Sequence, residues 1–182
     1  MIKEIEKGQL LVASVRLIDP NFQRTVVLLC EHDDSSSYGL VLNRRIDVPS
    51  DLHDRLPFLT DNLFLGGPVQ PEILQVVHPY EQVSGAREVI EGVWVGGNFE
   101  ELQAGCQAGV LDPQACRFFL GYSGWSAGQL QEEFDGDSWL LVPATPALIF
   151  DVSPENIWRE AIRARGRSEP LLANYPDDPR WN

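Results

Sequence analysis

The chain is short of basic residues, cysteine and histidine, and each shortage narrows what it can do. Lys and Arg number 14 against 27 for Asp and Glu, a formal net charge of −13. A chain this acidic repels the phosphate backbone that supplies most nucleic-acid affinity, and it repels anionic membrane surfaces. Basic spots occur at Arg44-Arg45 and at Arg159, Arg163, Arg165 and Arg167, but Glu155, Glu160 and Glu169 offset the second group. Direct nucleic-acid contact is therefore not expected. Cys30, Cys106 and Cys116 form no C-x-x-C pair and leave one thiol over in any disulfide scheme. That count fits reduced thiols in a cytoplasmic protein. No apolar run approaches the ~18–20 residues that cross a bilayer. Met1–Lys7 lacks the apolar stretch and cleavage site of a signal peptide.

What is present suffices for one core. The chain has 182 residues, 43% of them hydrophobic, which suits a single domain. Short apolar runs rich in β-branched residues predict strands at Leu10–Ala13, Thr25–Cys30, Gly39–Asn43, Leu63–Leu65, Ile73–His78, Val93–Val95, Arg117–Leu120, Trp139–Val142 and Leu148–Phe150. Helices are predicted after Ser50, after Asn98 with Glu101 three residues on, after Ser126 with Gln129 at capping-box spacing, and from Ser153-Pro154. Strands cluster and helices intersperse irregularly, so the fold class is α+β with mainly antiparallel pairing. The domain is placed at residues 1–166. Residues 167–182, rich in proline, are expected to form an irregular or mobile tail.

Several motifs suggest chemistry and yield to simpler readings. Gly124-Trp125-Ser126-Ala127-Gly128 matches G-x-S-x-G, in the expected order of strand, glycine turn and helix. In hydrolases of that type the histidine follows the serine, whereas His32, His53 and His78 all precede Ser126. A helix-capping role is expected for Ser126 and a core-plug role for Trp125. Cys30 and His32 fall on one side of a strand by period two, but no recognised metal spacing accompanies them, so no metal or cofactor is expected. Gly66-Gly67-Pro68 lacks the Lys-Ser/Thr pair of a phosphate loop and reads as a tight reversal. Adjacent Glu132 and Glu133 point in different directions from a helix start, so they are no acid/base pair.

Taken in order, these segments resemble one family, YqgE/AlgH. The resemblance rests on Asp19-Pro20-Asn21-Phe22, Arg24 through His32, Gly39-Leu40-Val41-Leu42-Asn43 and Gly66-Gly67-Pro68-Val69. It continues through His78, Gly121-Tyr122-Ser123-Gly124-Trp125, Gly128-Gln129-Leu130, Trp139-Leu140, Leu148-Ile149-Phe150 and Trp158, covering roughly residues 8–166. The resemblance implies a single α+β domain on a branched sheet, partly closed as a small barrel with helices around it. It brings no catalytic residues. Gln131 stands where the family usually has glutamate, and the family's Gly-His-Ala ending is absent.

The reading that follows is a non-enzymatic cytoplasmic protein that binds another protein, with a regulatory role. Its binding surface is expected at Asn43, Gly66, Gly67, Pro68, His78, Tyr122, Trp125 and Gln129. The alternatives are a small-molecule binder or enzyme with a pocket near His32, His78 and Glu133, and a transcriptional regulator acting without DNA contact.

Overall fold

The architecture is set by one long strand that three others share. The computed structural model describes residues 4–166. Nine strands form one sheet: β1 (Gln9–Ala13), β2 (Val26–His32), β3 (Ser36–Val41), β4 (Leu63–Leu65), β5 (Val69–His78), β6 (Ala86–Ile90), β7 (Val93–Gly96), β8 (Arg117–Ser126) and β9 (Trp139–Pro143). Their order is β6-β7-β5-β8-β3-β2-β1-β9, with β4 branching from β8. Every pairing is antiparallel except β4 with β8. The helices are α1 (Ser50–Arg55), α2 (Phe99–Gln107), α3 (Gln129–Asp135) and α4 (Ile157–Arg165). The result is the expected α+β single domain, a curled half-barrel with a few helices. No helix among the described residues is long and apolar enough to cross a membrane.

The branch comes from the way β8 is divided. Leu63 to Leu65 pair with Phe118 to Leu120 on one side of β8, while Leu74 to Val77 pair with Leu120 to Arg117 on the other. Beyond them β3 takes over the first side, Gly39 opposite Ser123 and Ser36 opposite Ser126. To pass from β4 to β5 the chain must therefore cross β8, and it does so at Gly66-Gly67. A Cβ on Gly66 would lie 2.3 Å from the Gly121 carbonyl oxygen, and one on Gly67 2.2 Å from the Tyr122 carbonyl. Gly121 itself has φ +70°, and its Cβ would stand 2.6 Å from the Gly67 oxygen. Backbones this close admit no side chain. The crossing is tied by Gly66 N donating to Leu120 O (2.8 Å) and by Val41 N donating to Gly66 O (2.9 Å). Ser123 Oγ also donates to Gly66 O (3.1 Å).

Curling gives the sheet an inside and an outside. Inside lie Leu10, Leu28, Phe64, Val77, Phe119 and Val142, closed by Ile157, Trp158 and Ile162 of α4. Trp158 Nε1 donates to the Ala13 carbonyl (2.8 Å), so the indole plugs one end without an orphaned donor. Outside, two further clusters form. One places α3 and Phe22 over Leu11, Val27 and Val41, and the other sets α1 and α2 against Val76 and Phe118.

Several expectations need correction. The strand from Arg117 does not stop at Leu120: Gly121 kinks it, and it runs on to Ser126. Trp125 is therefore a strand residue, not a turn residue. Ser126 does not cap α3, whose N-cap is Gly128 without a side-chain bond. Its backbone N–H instead donates to Gln129 Oε1 (3.1 Å). Ser50 opens α1 behind Pro49, again with no side-chain cap. Leu148–Phe150 is not a strand but part of a π-helical turn, Ala147–Asp151. Pro146 starts that turn in the helical region, and Arg117 Nη2 donates to the Phe150 carbonyl (2.6 Å). Strand β6 had no counterpart in the sequence reading. The Asn98 cap is as expected, its side chain accepting from Glu101 N (3.1 Å). The tail expected at residues 167–182 lies outside the described residues.

The crossing generates a prediction. Gly66→Ala should destabilise the protein by more than ~3 kcal/mol, because the clash is with backbone on a paired strand. Gly124→Ala, whose Cβ would meet only the Tyr122 ring at 3.4 Å, should shift stability by less than ~0.5 kcal/mol. Urea unfolding of the two variants decides the point.

Candidate functional site

The residues singled out from sequence fall into three places. The first is an aromatic cluster outside the sheet. Trp125 and Trp139 meet edge-on at 6.2 Å, and Phe22 packs on both, at 6.1 and 5.6 Å. Glu133 lies over them: its Oε2 accepts from Trp125 Nε1 (2.9 Å) and Trp139 Nε1 (2.8 Å), and its Oε1 accepts from Gln129 Nε2 (3.1 Å). Ser126 Oγ donates to Gln129 Oε1 (3.3 Å), so the hydroxyl serves this network. The carboxylate satisfies two buried indoles, which is a packing task.

The second place is the frame. Asn43 bridges the start of β2, its Oδ1 accepting from Val26 N (2.9 Å) and its Nδ2 donating to Arg24 O (2.8 Å). Gly66 and Gly67 make the crossing, and Pro68 stands exposed beside it. His78 is wholly buried; its Nε2 donates to Gly96 O (2.9 Å) and its Nδ1 accepts from Tyr80 N (3.2 Å). Burial lowers its pKa, the Gly96 bond opposing, so the ring stays neutral in a locked tautomer. His32 Nδ1 shares a 2.7 Å hydrogen bond with Ser37 Oγ. Ser37 sits opposite Trp125 in the sheet, so His32 and Glu133 flank one strand pair while His78 belongs to the β5–β7 end. The three do not line a common pocket.

Cys30 and His32 also part company. Cys30 lies in the inner core with Val26 and Leu28, and a bulge between Leu29 and Glu31 then breaks the period of two, so that His32 faces Ser37 instead. Burial pushes the thiols of Cys30 and Cys116 up to about 12, and that of Cys106 upward too. Among the described residues no group of three or more His, Cys, Asp or Glu is gathered as a metal site.

The third place was not visible in the sequence, apart from Tyr122 and Trp125. Strand β5 meets β7 only at Val77–Val95 and His78–Trp94. Between Gln70 and Val76 no described strand pairs with β5 on that side. On the β8 side, Val69 faces Tyr122 but the regular register begins only at Leu74 with Leu120, so Gln70, Pro71, Glu72 and Ile73 bulge against Gly121. Gln70 takes φ +47° there. An opening remains in the barrel wall, with a cavity on each face. One, of about 660 Å³, has the tilted ring pair Tyr38–Tyr122 (5.3 Å) and Ile73 along it. The other, of about 770 Å³, is lined by Leu52, Leu56, Leu74, Val76 and Phe99 below α1 and α2. Gln75 and Arg87 line both. Arg87 pairs with Glu31 across the mouth, joining β6 to β2. Burial pushes the Tyr38 phenol well above its ordinary value, so it stays a neutral donor. Proline inside the Val69–His78 run was the one sequence signal, since proline in a strand marks an edge or a bulge.

Comparison with known proteins gives consistent matches along the chain. A family model described as AlgH-like matches residues 10–169. The UPF0301 protein of Chlorobium luteolum is 38% identical over 182 residues, covering 99% of this chain and 96% of that one. A UPF0301 protein of Cytophaga hutchinsonii is 38% identical, covering 98% of this chain and 100% of its own. Among solved structures, the AlgH protein of Pseudomonas aeruginosa superposes with a TM-score of 0.73 at 30% identity, covering 97% of this chain and 100% of that one. A protein from Corynebacterium diphtheriae gives a TM-score of 0.75 at 23% identity, covering 95% of this chain and 94% of that one, a likeness of fold.

Two predictions arise from these groups. Glu133→Ala leaves two indole N–H groups without an acceptor and should cost ~2–6 kcal/mol, at ~1–3 kcal/mol for each orphaned donor. Trp125→Ala should cost ~3–5 kcal/mol, while Gln131→Ala on the exposed side of α3 stays within ~0.5 kcal/mol. Chemical denaturation measures all three. For His78 the folded-state pKa lies below the ordinary 6.5. Well above pH 6.5 the ring is neutral in both states; as pH falls through 6.5 the unfolded chain binds the proton more readily, and stability falls. Between about pH 7.5 and about pH 5.5, the wild type should therefore lose more stability than His78→Gln does.

Proposed function

Since the chain belongs to the AlgH-like family, we propose that it is a binding protein that takes an extended segment of a partner protein along the open edge of β5. One observation carries this reading: past the bulge of Gln70–Ile73, the β5 residues Leu74–Val76 have a strand on one side only, and a cavity lies on each face of the free side. An exposed strand edge supplies alternate N–H and C=O groups for main-chain pairing, and pockets beside it supply side-chain selection. The groups able to do covalent chemistry serve the frame instead: the thiols are buried and protonated, His78 has both nitrogens engaged, and Glu133 holds two indoles. A protein that acts by occupancy of this kind can regulate its partner without touching DNA.

The binding surface expected from sequence contributes Tyr122 and Trp125 to this opening, while Asn43, Gly66 and Gly67 support the frame behind it. A photoreactive phenylalanine analogue placed at Ile73 or at Glu100, one on each rim, should give adducts with a partner polypeptide in living cells. The same probe at Val110, which is 78% exposed and lines neither cavity, should not. Ile73→Asp combined with the Glu100 probe should abolish the adducts while the melting temperature holds. Equal labelling from Val110 and Ile73 would sink the reading.

A further inference from the structure

The partner segment can be specified further from the two faces of the opening. Resting on the reading above, we propose that the occupant is an extended peptide with consecutive large apolar side chains and basic flanks. A strand laid along β5 sends successive side chains to opposite faces. Here each face carries a cavity. One side chain enters the cavity under α1 and α2, against Leu74, Val76 and Phe99; the next lies over Tyr38 and Tyr122 beside Ile73. An amphipathic strand, apolar on one side only, would bury polar groups on the other. Strands covered on both faces read instead as continuous apolar runs. The free edge in regular register is Leu74–Val76, at ~3.3 Å per residue, so the paired stretch is short.

Charge sets the flanks. Arg87 is engaged by Glu31, which leaves Arg55 facing Glu72 and Glu100 along the cavity beneath the helices. Beyond the rim the whole chain carries −13. A basic segment is drawn to this field and an acidic one repelled, with an effect that salt screens.

The test uses the full chain and four fluorescein-labelled peptides of about ten residues. Three share a central Val-Leu-Phe-Val and carry Lys/Arg, Ser/Thr or Glu flanks; the fourth has basic flanks with Val-Ser-Phe-Ser at the centre. Fluorescence anisotropy reads affinity, and backbone amide shifts locate binding. The basic apolar peptide should bind about tenfold tighter than the neutral one. It should weaken with added salt, shift the amides of residues 70–76 and 95–97, and lose about tenfold in affinity against Ile73→Asp. Equal affinity for the neutral or acidic peptide at the same amides would overturn the basic flanks and leave edge binding standing. Equal affinity for the alternating peptide would overturn the two-faced anchor. Binding of the basic peptide away from those amides overturns the proposal outright. If no peptide shifts residues 70–76, the proposal and the edge-binding reading fall together.

Discussion

The passage of the chain over β8 at Gly66-Gly67 is the constraint from which the rest of the molecule follows. With β4 and β5 on opposite sides of the same residues of β8, the link between them has to pass within van der Waals contact of Gly121 and Tyr122. Three residues without side chains make that possible. Emerging from the crossing, β5 pairs once, Val69 with Tyr122, and then overruns. The excess residues form a bulge, and a bulge bends its strand and sharpens its twist. Strand β7 then reaches β5 only at the far end, and the gap in the wall is the geometric remainder of the crossing.

Around that gap the structure is firmly braced. Glu133 joins two indoles from β8 and β9 to α3, and Asn43 ties the start of β2 to the end of β3. His78 fixes the turn after β5 to the end of β7 through both ring nitrogens. Each is a polar group whose usual reading invites a reaction, and each is occupied in holding one element to another. A rigid frame with an incomplete wall is the combination that lets a short segment bind without a large ordering cost in the host.

The sequence made the fold class legible because its signals were local. The apolar runs at Leu10–Ala13 and Val26–Cys30, the Asn98 cap with Glu101, and the glycine stops at Gly136 and Gly166 all act within a few residues. Failures arose where a local rule met a distant partner. Gly121 and Gly124 look like turn glycines, but pairing with Val69 of β5 at Tyr122 and with β3 from Ser123 to Ser126 carries the strand past both. Leu148-Ile149-Phe150 has a strand's composition, yet Arg117, thirty-three residues upstream, takes the Phe150 carbonyl and the segment coils. Strand β6 escaped notice because Arg87 and Glu88 break its apolar run, and Arg87 is there for Glu31. Tyr38, Ile73 and Gln75 belong to no motif. Only the pairing of both β3 and β5 with β8 brings them to one opening.

An unpaired edge beside apolar surface carries a hazard, because a second copy of the same chain could pair with it. Pro71 withholds an N–H at the start of the free stretch, and Glu72 adds a charge beside it. Those devices blunt the bulge but leave Leu74 to Val76 accessible to main-chain pairing. Self-association has a further obstacle, since two copies approaching edge to edge bring together net charges of −13 each. The charge that opposes self-pairing is the charge that would attract the proposed basic segment. On the proposed reading, an acidic surface beside an open strand disfavours pairing with a second copy and favours a partner of opposite sign.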